Sequence, residues 1–137
     1  NILDMFSGVG SFGIECLSRG VQKVVFVENY QGVIPILKKN LLNLKSVDNY
    51  KIIEKDIYDN NKIITLNIQF DIIFLDPPFK DKNLSIIFRK IKNENLLKEN
   101  GIIILHRHKD EKDIILEDFN IIEEKKYGIS RIFFFSN

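Results

Sequence analysis

The sequence predicts a parallel α/β sheet, and three observations predict it. Short apolar runs alternate with stretches of helical periodicity along the whole 137-residue chain, the mark of repeated strand–helix–strand units. The runs at 24–27 and 72–75 are continuously apolar, as buried strands are. A glycine-rich turn, Gly8-Val9-Gly10-Ser11-Phe12-Gly13, follows the first run directly and opens a helix.

Each element follows from local signals. Residues 1–6 read as the first strand. Beyond the glycine turn, Phe12, Ile14, Cys16, Leu17 and Arg19 lie on a short helix that stops at Gly20, a residue suited to the position just past a helix end. Residues 24–27 form the second strand, which ends in Glu28. Residues 31–44 read as a helix, with Val33, Ile34, Leu37, Leu41 and Leu44 on one stripe. Pro35 falls in its first turn, where a missing N–H is tolerated. Residues 50–54 form the third strand, followed by Lys55-Asp56, and residues 59–66 a short helix. The fourth strand spans 72–75. A helix over 84–91 presents Leu84, Ile87, Phe88 and Ile91 on one face. Asn100-Gly101 turns into a fifth strand at 102–105, and 110–117 is a short helix. The runs 119–127 and 129–135 are the last two strands. Gly128 leaves them so short a link that they pair as an antiparallel hairpin, with Phe133-Phe134-Phe135 filling both sheet faces. No repeat, linker or internal boundary appears, so residues 1–137 form one domain.

Bulk properties narrow the class. The chain is 45% apolar and 28% charged, ordinary for a globular domain. No run approaches the roughly 18–20 apolar residues needed to span a membrane. The opening residues lack the features of a secretory signal, and the absence of an initiator Met suggests that a segment precedes Asn1. The single Cys16 excludes an intrachain disulfide and suits a reducing cytoplasm. A net charge of +1 creates no general field for polyanions. The clusters Lys38-Lys39, Lys80 with Lys82, Arg89-Lys90 with Lys92, and Lys125-Lys126 read as solvated surface. His106 and His108 share a face at the end of the fifth strand. They read as a polar strand end, since no third residue has metal-ligand spacing. Cys16 reads as core filler.

The tetrapeptide Asp76-Pro77-Pro78-Phe79 closes the apolar run 70–75. It brings a carboxylate, a rigid turn and an aromatic ring to the C-terminal end of a strand, where open α/β sheets bind ligands. A flat ring bearing an amine fits there. Asp76 and the Pro77 carbonyl accept its two N–H hydrogens, and Phe79 stacks on its face. The exocyclic amine of a nucleobase is a poor nucleophile because its lone pair is delocalised. Two acceptors aimed at its hydrogens favour a pyramidal nitrogen and stabilise developing positive charge. The bland alternative is that the prolines end a strand and Phe79 packs inward.

The glycine turn admits a cofactor close to the backbone. Glu28, twenty residues past Gly8, is placed to hold two ribose hydroxyls, a spacing that dinucleotide sites share. Asp4 separates the two cases. A carboxylate just before the turn opposes a pyrophosphate and suits a ligand carrying ammonium and sulfonium groups, as S-adenosylmethionine does. Asp56 is placed to accept from an adenine amine, and Tyr30 to flank the ring.

The segments Asp4-x-Phe6-x-Gly8-x-Gly10 with Phe12-Gly13-x-Glu15, Leu17-Ser18-Arg19-Gly20, and Phe74-Leu75-Asp76-Pro77-Pro78-Phe79 together resemble the RsmD family, over nearly the whole chain. That resemblance implies a Rossmann-like S-adenosylmethionine-dependent methyltransferase fold: a seven-stranded, mostly parallel sheet with an antiparallel last strand and helices on both faces. It implies methyl transfer to the exocyclic N2 amine of a guanine in 16S ribosomal RNA. The implied cofactor set is Asp4, Phe6, Gly8, Gly10, Glu28, Asn29, Asp56, Ile57 and Asp76. The implied catalytic set is Asp76, Pro77 and Phe79, with no metal. It further implies a cytoplasmic monomer acting on 16S rRNA or the small ribosomal subunit. Family members carry a basic N-terminal stretch that helps bind RNA and is missing here. The rival readings are an adenine-N6 methyltransferase of DNA or RNA, a non-catalytic S-adenosylmethionine-binding module, and a dinucleotide oxidoreductase.

Overall fold

The computed structural model describes residues 1–44, 47–59, 61–64, 67–111 and 119–137. Strand β1 (Ile2–Met5), buried at all four positions, lies inside a seven-stranded sheet. β2 (Val24–Glu28) and β4 (Phe70–Leu75) flank it in parallel. β3 (Tyr50–Glu54) pairs with β2 in parallel, and β5 (Leu97–His108) with β4. β7 (Ser130–Ser136) runs antiparallel to β5, and β6 (Asn120–Tyr127) pairs antiparallel with β7. The spatial order is β3-β2-β1-β4-β5-β7-β6. The connections reverse direction between β1 and β4, so the crevice beyond their C-terminal ends is a topological switch point.

The two sheet faces carry two cores. Leu3, Met5, Val25, Val27, Ile73, Leu75, Ile103 and Leu105 point to one face and pack with Leu84, Ile87, Phe88 and Ile91 of α3 (Leu84–Asn93). The intervening residues Ile2, Val24 and Phe26 point to the other face. They meet Leu17 of α1 (Ser11–Ser18) and Leu37 and Leu41 of α2 (Ile34–Leu42). This strict alternation is why the central runs read as continuously apolar: each strand is covered on both sides. Phe12 of α1 stacks on Phe74 of β4, 4.1 Å between centroids. In β7, Phe133 and Phe135 are buried on one face, while Phe134 on the other lies under the Lys125 ammonium. Among the described residues no helix is long and apolar enough to cross a membrane.

Four expectations change. The predicted helix over 59–66 is absent at Asp59 and at 61–64. Its polar backbone groups go elsewhere: Glu94 accepts from the N–H groups of Ile63 and Ile64, and Lys90 donates to the carbonyls of Ile57, Asp59 and Asn61. Lys90 is therefore a strut between α3 and this loop, not solvated surface. The turn at Asn100-Gly101 lies inside β5, which starts at Leu97. Phe70 pairs with Leu97 but Ile72 with Ile102, so the strand accommodates the extra residues as an irregularity. α2 starts at Ile34, after a turn closed by Val33 N–H to the Tyr30 carbonyl. Most of the predicted helix 110–117 lies outside the described residues.

Candidate cofactor and base site

Four strand ends converge on one cavity of about 490 Å³, lined by Phe6, Glu28, Asn29, Tyr30, Asp56, Tyr58, Asp76, Pro78 and Asp81. Its size suits a nucleoside-sized ligand. Four carboxylates line it, and no lysine or arginine does. A small recess beside it adds Val27, Lys55 and Ile57 to the shared lining of Phe6, Glu28, Asn29 and Asp56.

The turn after β1 builds one wall. Phe6 holds φ +57, a conformation costing a bulky residue about 1–3 kcal/mol and concentrated at functional sites. It puts the Phe6 ring against Tyr58, 6.1 Å between centroids. Gly8 (φ +54) has open space where a Cβ would stand. A Cβ on Gly10 (φ +86) would come 2.4 Å from Leu37 Cδ1. The two glycines thus do different work: Gly8 opens the surface, and Gly10 lets α1 settle against α2.

Asp4 is buried at the base of this turn, and its Oδ2 accepts the Gly13 N–H at 3.0 Å. It ties β1 to α1 and does not line the cavity. Burial pushes its carboxyl up to about 7 from 3.8; the Gly13 hydrogen bond opposes the rise, and the Asp76 and Glu28 charges add to it. Glu28 is also engaged. Its Oε2 accepts the Gly8 N–H at 2.8 Å, and its Oε1 those of Asn29 and Tyr30, each at 2.9 Å. With about four acceptor positions on a carboxylate, Oε2 retains one, enough for a single hydroxyl as the side chain stands. Asp56 is exposed, and its Oδ1 accepts the Tyr58 N–H at 2.9 Å. Ile57 is buried in the adjoining recess.

The Asp76–Phe79 turn forms the opposite wall. Pro77 is buried and Asp76 exposed. The Phe79 ring is 47% exposed, which removes the reading that it packs inward. Sequence reasoning missed what braces this turn. His106 Nδ1 lies 2.8 Å from Asp76 Oδ1. Phe79 also faces His106 and His108, at centroid distances of 6.0 and 5.4 Å, so the two histidines share a face as expected. From the opposite face of β5, the buried Arg107 donates to the carbonyls of Pro78 (3.3 Å) and Asp81 (3.1 Å) and pairs with Glu111 at 3.0 Å. Tyr58 O–H donates to Asp81 and links the β3 loop to the β4 loop. Burial and that bond push the Tyr58 phenol well above its ordinary range. Strand alternation after Leu105 was the signal for His106 and Arg107; nothing in the sequence pairs Tyr58 with Asp81.

Comparison with known proteins identifies the family. A family model described as conserved hypothetical protein 95 matches residues 1–136. The chain belongs to this family, the RsmD family. This RsmD-family chain is similar to the ribosomal RNA small subunit methyltransferase D of Haemophilus influenzae, at 38% identity over 128 residues. The match covers 93% of the chain and 66% of that relative, so the chain spans just under two thirds of its length. It superposes on the structure of a conserved hypothetical protein of Streptococcus pyogenes with TM-score 0.85 and 27% identity, covering 99% of this chain and 84% of that one. The Pyrococcus abyssi tRNA (uracil-54, C5)-methyltransferase in complex with S-adenosyl-L-homocysteine shares the fold, at TM-score 0.72 and 22% identity over 98% of this chain and 33% of that one.

Proposed function

We propose that this chain is the S-adenosylmethionine-dependent catalytic domain of a cytoplasmic methyltransferase that modifies the exocyclic N2 amine of a guanine in 16S ribosomal RNA. The observation that carries the cofactor is the lining of the cavity. Glu28, Asp56, Asp76 and Asp81 repel a pyrophosphate and attract a cation, and the lining itself holds no lysine or arginine, the nearest being Lys55 in the adjoining recess and Arg107 behind Asp81. A dinucleotide fits this lining poorly. The methyltransferase names of the relatives support the same reading.

In this reading Gly8, where nothing fills the space of a side chain, would admit the methionine part. Glu28 Oε2 would accept a ribose hydroxyl, and Asp56 would accept from the adenine amine beside Asn29, Tyr30 and Ile57. Bound there, the cofactor would supply a methyl carbon on a cationic sulfur, a leaving group that would keep the C–S electron pair. The chain orients the acceptor. Asp76 and the Pro77 carbonyl take the two amine hydrogens, which leaves the nitrogen lone pair facing the methyl donor. Phe79 stacks on the base, worth about 1–3 kcal/mol. Once methylated, the nitrogen is cationic and acidic, so its proton passes to solvent without a strong base. The Asp76 charge stabilises that cation as it forms.

The test is transfer of labelled methyl to 16S rRNA and to small subunits, followed by mass spectrometry of the nucleosides. N2-methylguanosine is expected; N6-methyladenosine would move the chain to the adenine class. Asp76→Ala is expected to bind cofactor and lose at least about 100-fold in rate. An unchanged rate would remove Asp76 from the step, and cofactor binding with no transfer by the wild-type chain would leave only a binding module.

A further inference from the structure

His106 stands where the two working parts of the Asp76–Phe79 turn meet. Its Nδ1 is 2.8 Å from Asp76 Oδ1, and its Nε2 is 2.9 Å from Ser130 Oγ. Its ring and that of Phe79 meet edge to face, at 80° between planes and 6.0 Å between centroids. One side chain from β5 thus touches the carboxylate and the aromatic ring assigned to the target base, and it is anchored from β7. The antiparallel register sets His106 opposite Ile132 and His108 opposite Ser130, so Ser130 reaches His106 diagonally along the same face.

The partners fix the tautomer. An ionised carboxylate only accepts, so Nδ1 carries the hydrogen whenever Asp76 is ionised. A neutral ring then offers Nε2 as an acceptor, and the Ser130 hydroxyl donates to it. A free imidazole prefers the opposite arrangement, with hydrogen on Nε2. Holding the ring in its less favoured form takes a partner on each side, and both are present.

We propose that His106 is a positioning residue for methyl transfer. Its Nδ1–H, backed by Ser130, fixes Asp76 Oδ1 and leaves Asp76 Oδ2 to receive the target amine. Its ring, perpendicular to that of Phe79, holds Phe79 upright for stacking. The proposal rests on the methyltransferase reading above. His106 itself touches neither cofactor nor base and gains or loses no proton in the step.

Two variants separate the two contacts. His106→Asn keeps a donor at the Nδ1 position and removes the ring; it is expected to hold kcat near wild type and raise KM for RNA. His106→Phe keeps a ring beside Phe79 and removes the donor; it is expected to lower kcat about 10- to 100-fold, the cost of a loosened acceptor, with KM for RNA near wild type. Cofactor affinity by calorimetry stays unchanged in both. Equal kcat losses in the two variants, or none in either, overturn the proposal. Nitrogen NMR of the imidazole reads the contact without turnover. The neutral wild-type ring is expected as Nδ1–H, reverting to Nε2–H in Asp76→Ala, and an Nε2–H ring in the wild type also overturns it. A wild-type protein that binds cofactor but methylates no RNA defeats the underlying reading and the catalytic part of this proposal together. The tautomer distinguishes that case from a misassigned contact.

Discussion

Asp4 is the residue whose environment most opposes its chemistry: a carboxyl 1% exposed, with a single backbone N–H donated to it at 3.0 Å. Its folded-state pKa of about 7 lies above the ordinary 3.8. The native state therefore binds more protons than the unfolded chain between those values, and the sign of the linkage follows. The contribution of Asp4 to stability is full below about pH 4 and is lost as pH rises to about 7. Asp4→Asn keeps an acceptor for Gly13 and removes the buried charge. It is expected to raise the stability of the ligand-free protein at pH 8 by roughly 1–3 kcal/mol and to flatten its pH dependence between pH 4 and 7, measured by denaturant unfolding. A cationic ligand favours the ionised form, so binding near pH 6 should release a proton, and affinity should rise as pH approaches 7. Calorimetry in buffers of different ionisation enthalpy measures that release. Release of no proton would mean that Asp4 does not sense the ligand.

At the scale of elements, the glycine turn shows one motif doing two jobs. Gly10→Ala forces a Cβ to 2.4 Å from Leu37 at φ +86 and is expected to cost about 2 kcal/mol or more of stability. Gly8→Ala meets no neighbour and is expected to cost only about 1 kcal/mol while weakening cofactor binding much more than Gly10→Ala does. Thermal unfolding beside cofactor titration checks both, and equal effects on affinity would remove the distinction. The Asp76–Phe79 turn relies on a neighbouring strand: Arg107→Met removes two bonds to its carbonyls, each worth about 1.5–3 kcal/mol as a bond from a charged donor. That variant is expected to unfold at lower temperature and to transfer methyl more slowly. Elements with strong local signals were legible from sequence. α3 buries the four residues its periodicity names, and β1, β2 and β4 announce themselves as apolar runs. The loop residues 57–59 and 61–64 were not legible, because Glu94 and Lys90, some thirty residues away, take the hydrogen bonds a helix would have made. The motifs marked two walls of the site, and alternation placed His106 and Arg107 on opposite faces of β5, but their partners in the Asp76–Phe79 turn were not legible, since pairing β5 with β4 is a tertiary fact.

For the whole molecule, the decisive quantity is charge. The net charge is +1, and much of the positive charge is already engaged. Lys38 pairs with Glu54 at 2.5 Å, Lys125 and Lys126 pair with Glu123 and Glu124, and Lys90 serves loop carbonyls. Lys80 and Lys82, both exposed, directly follow Phe79 and stand closest in sequence to the proposed base site. Affinity for RNA falls with salt in proportion to the number of phosphates neutralised, with a slope of about −0.7 per contact on single strands. In the proposed reading, two contacts from these lysines give a slope between about −1 and −2, shallow for a nucleic-acid enzyme, and stacking on Phe79 is expected to carry much of the affinity. Fluorescence anisotropy with a 16S rRNA fragment at several salt concentrations measures the slope. Lys80→Ala with Lys82→Ala is expected to bring it close to zero, whereas Phe79→Ala should weaken binding about 5- to 100-fold at every salt concentration, the loss of one stacked base, and leave the slope unchanged. A wild-type slope steeper than about −5 would locate the RNA on a basic surface other than the one beside Phe79.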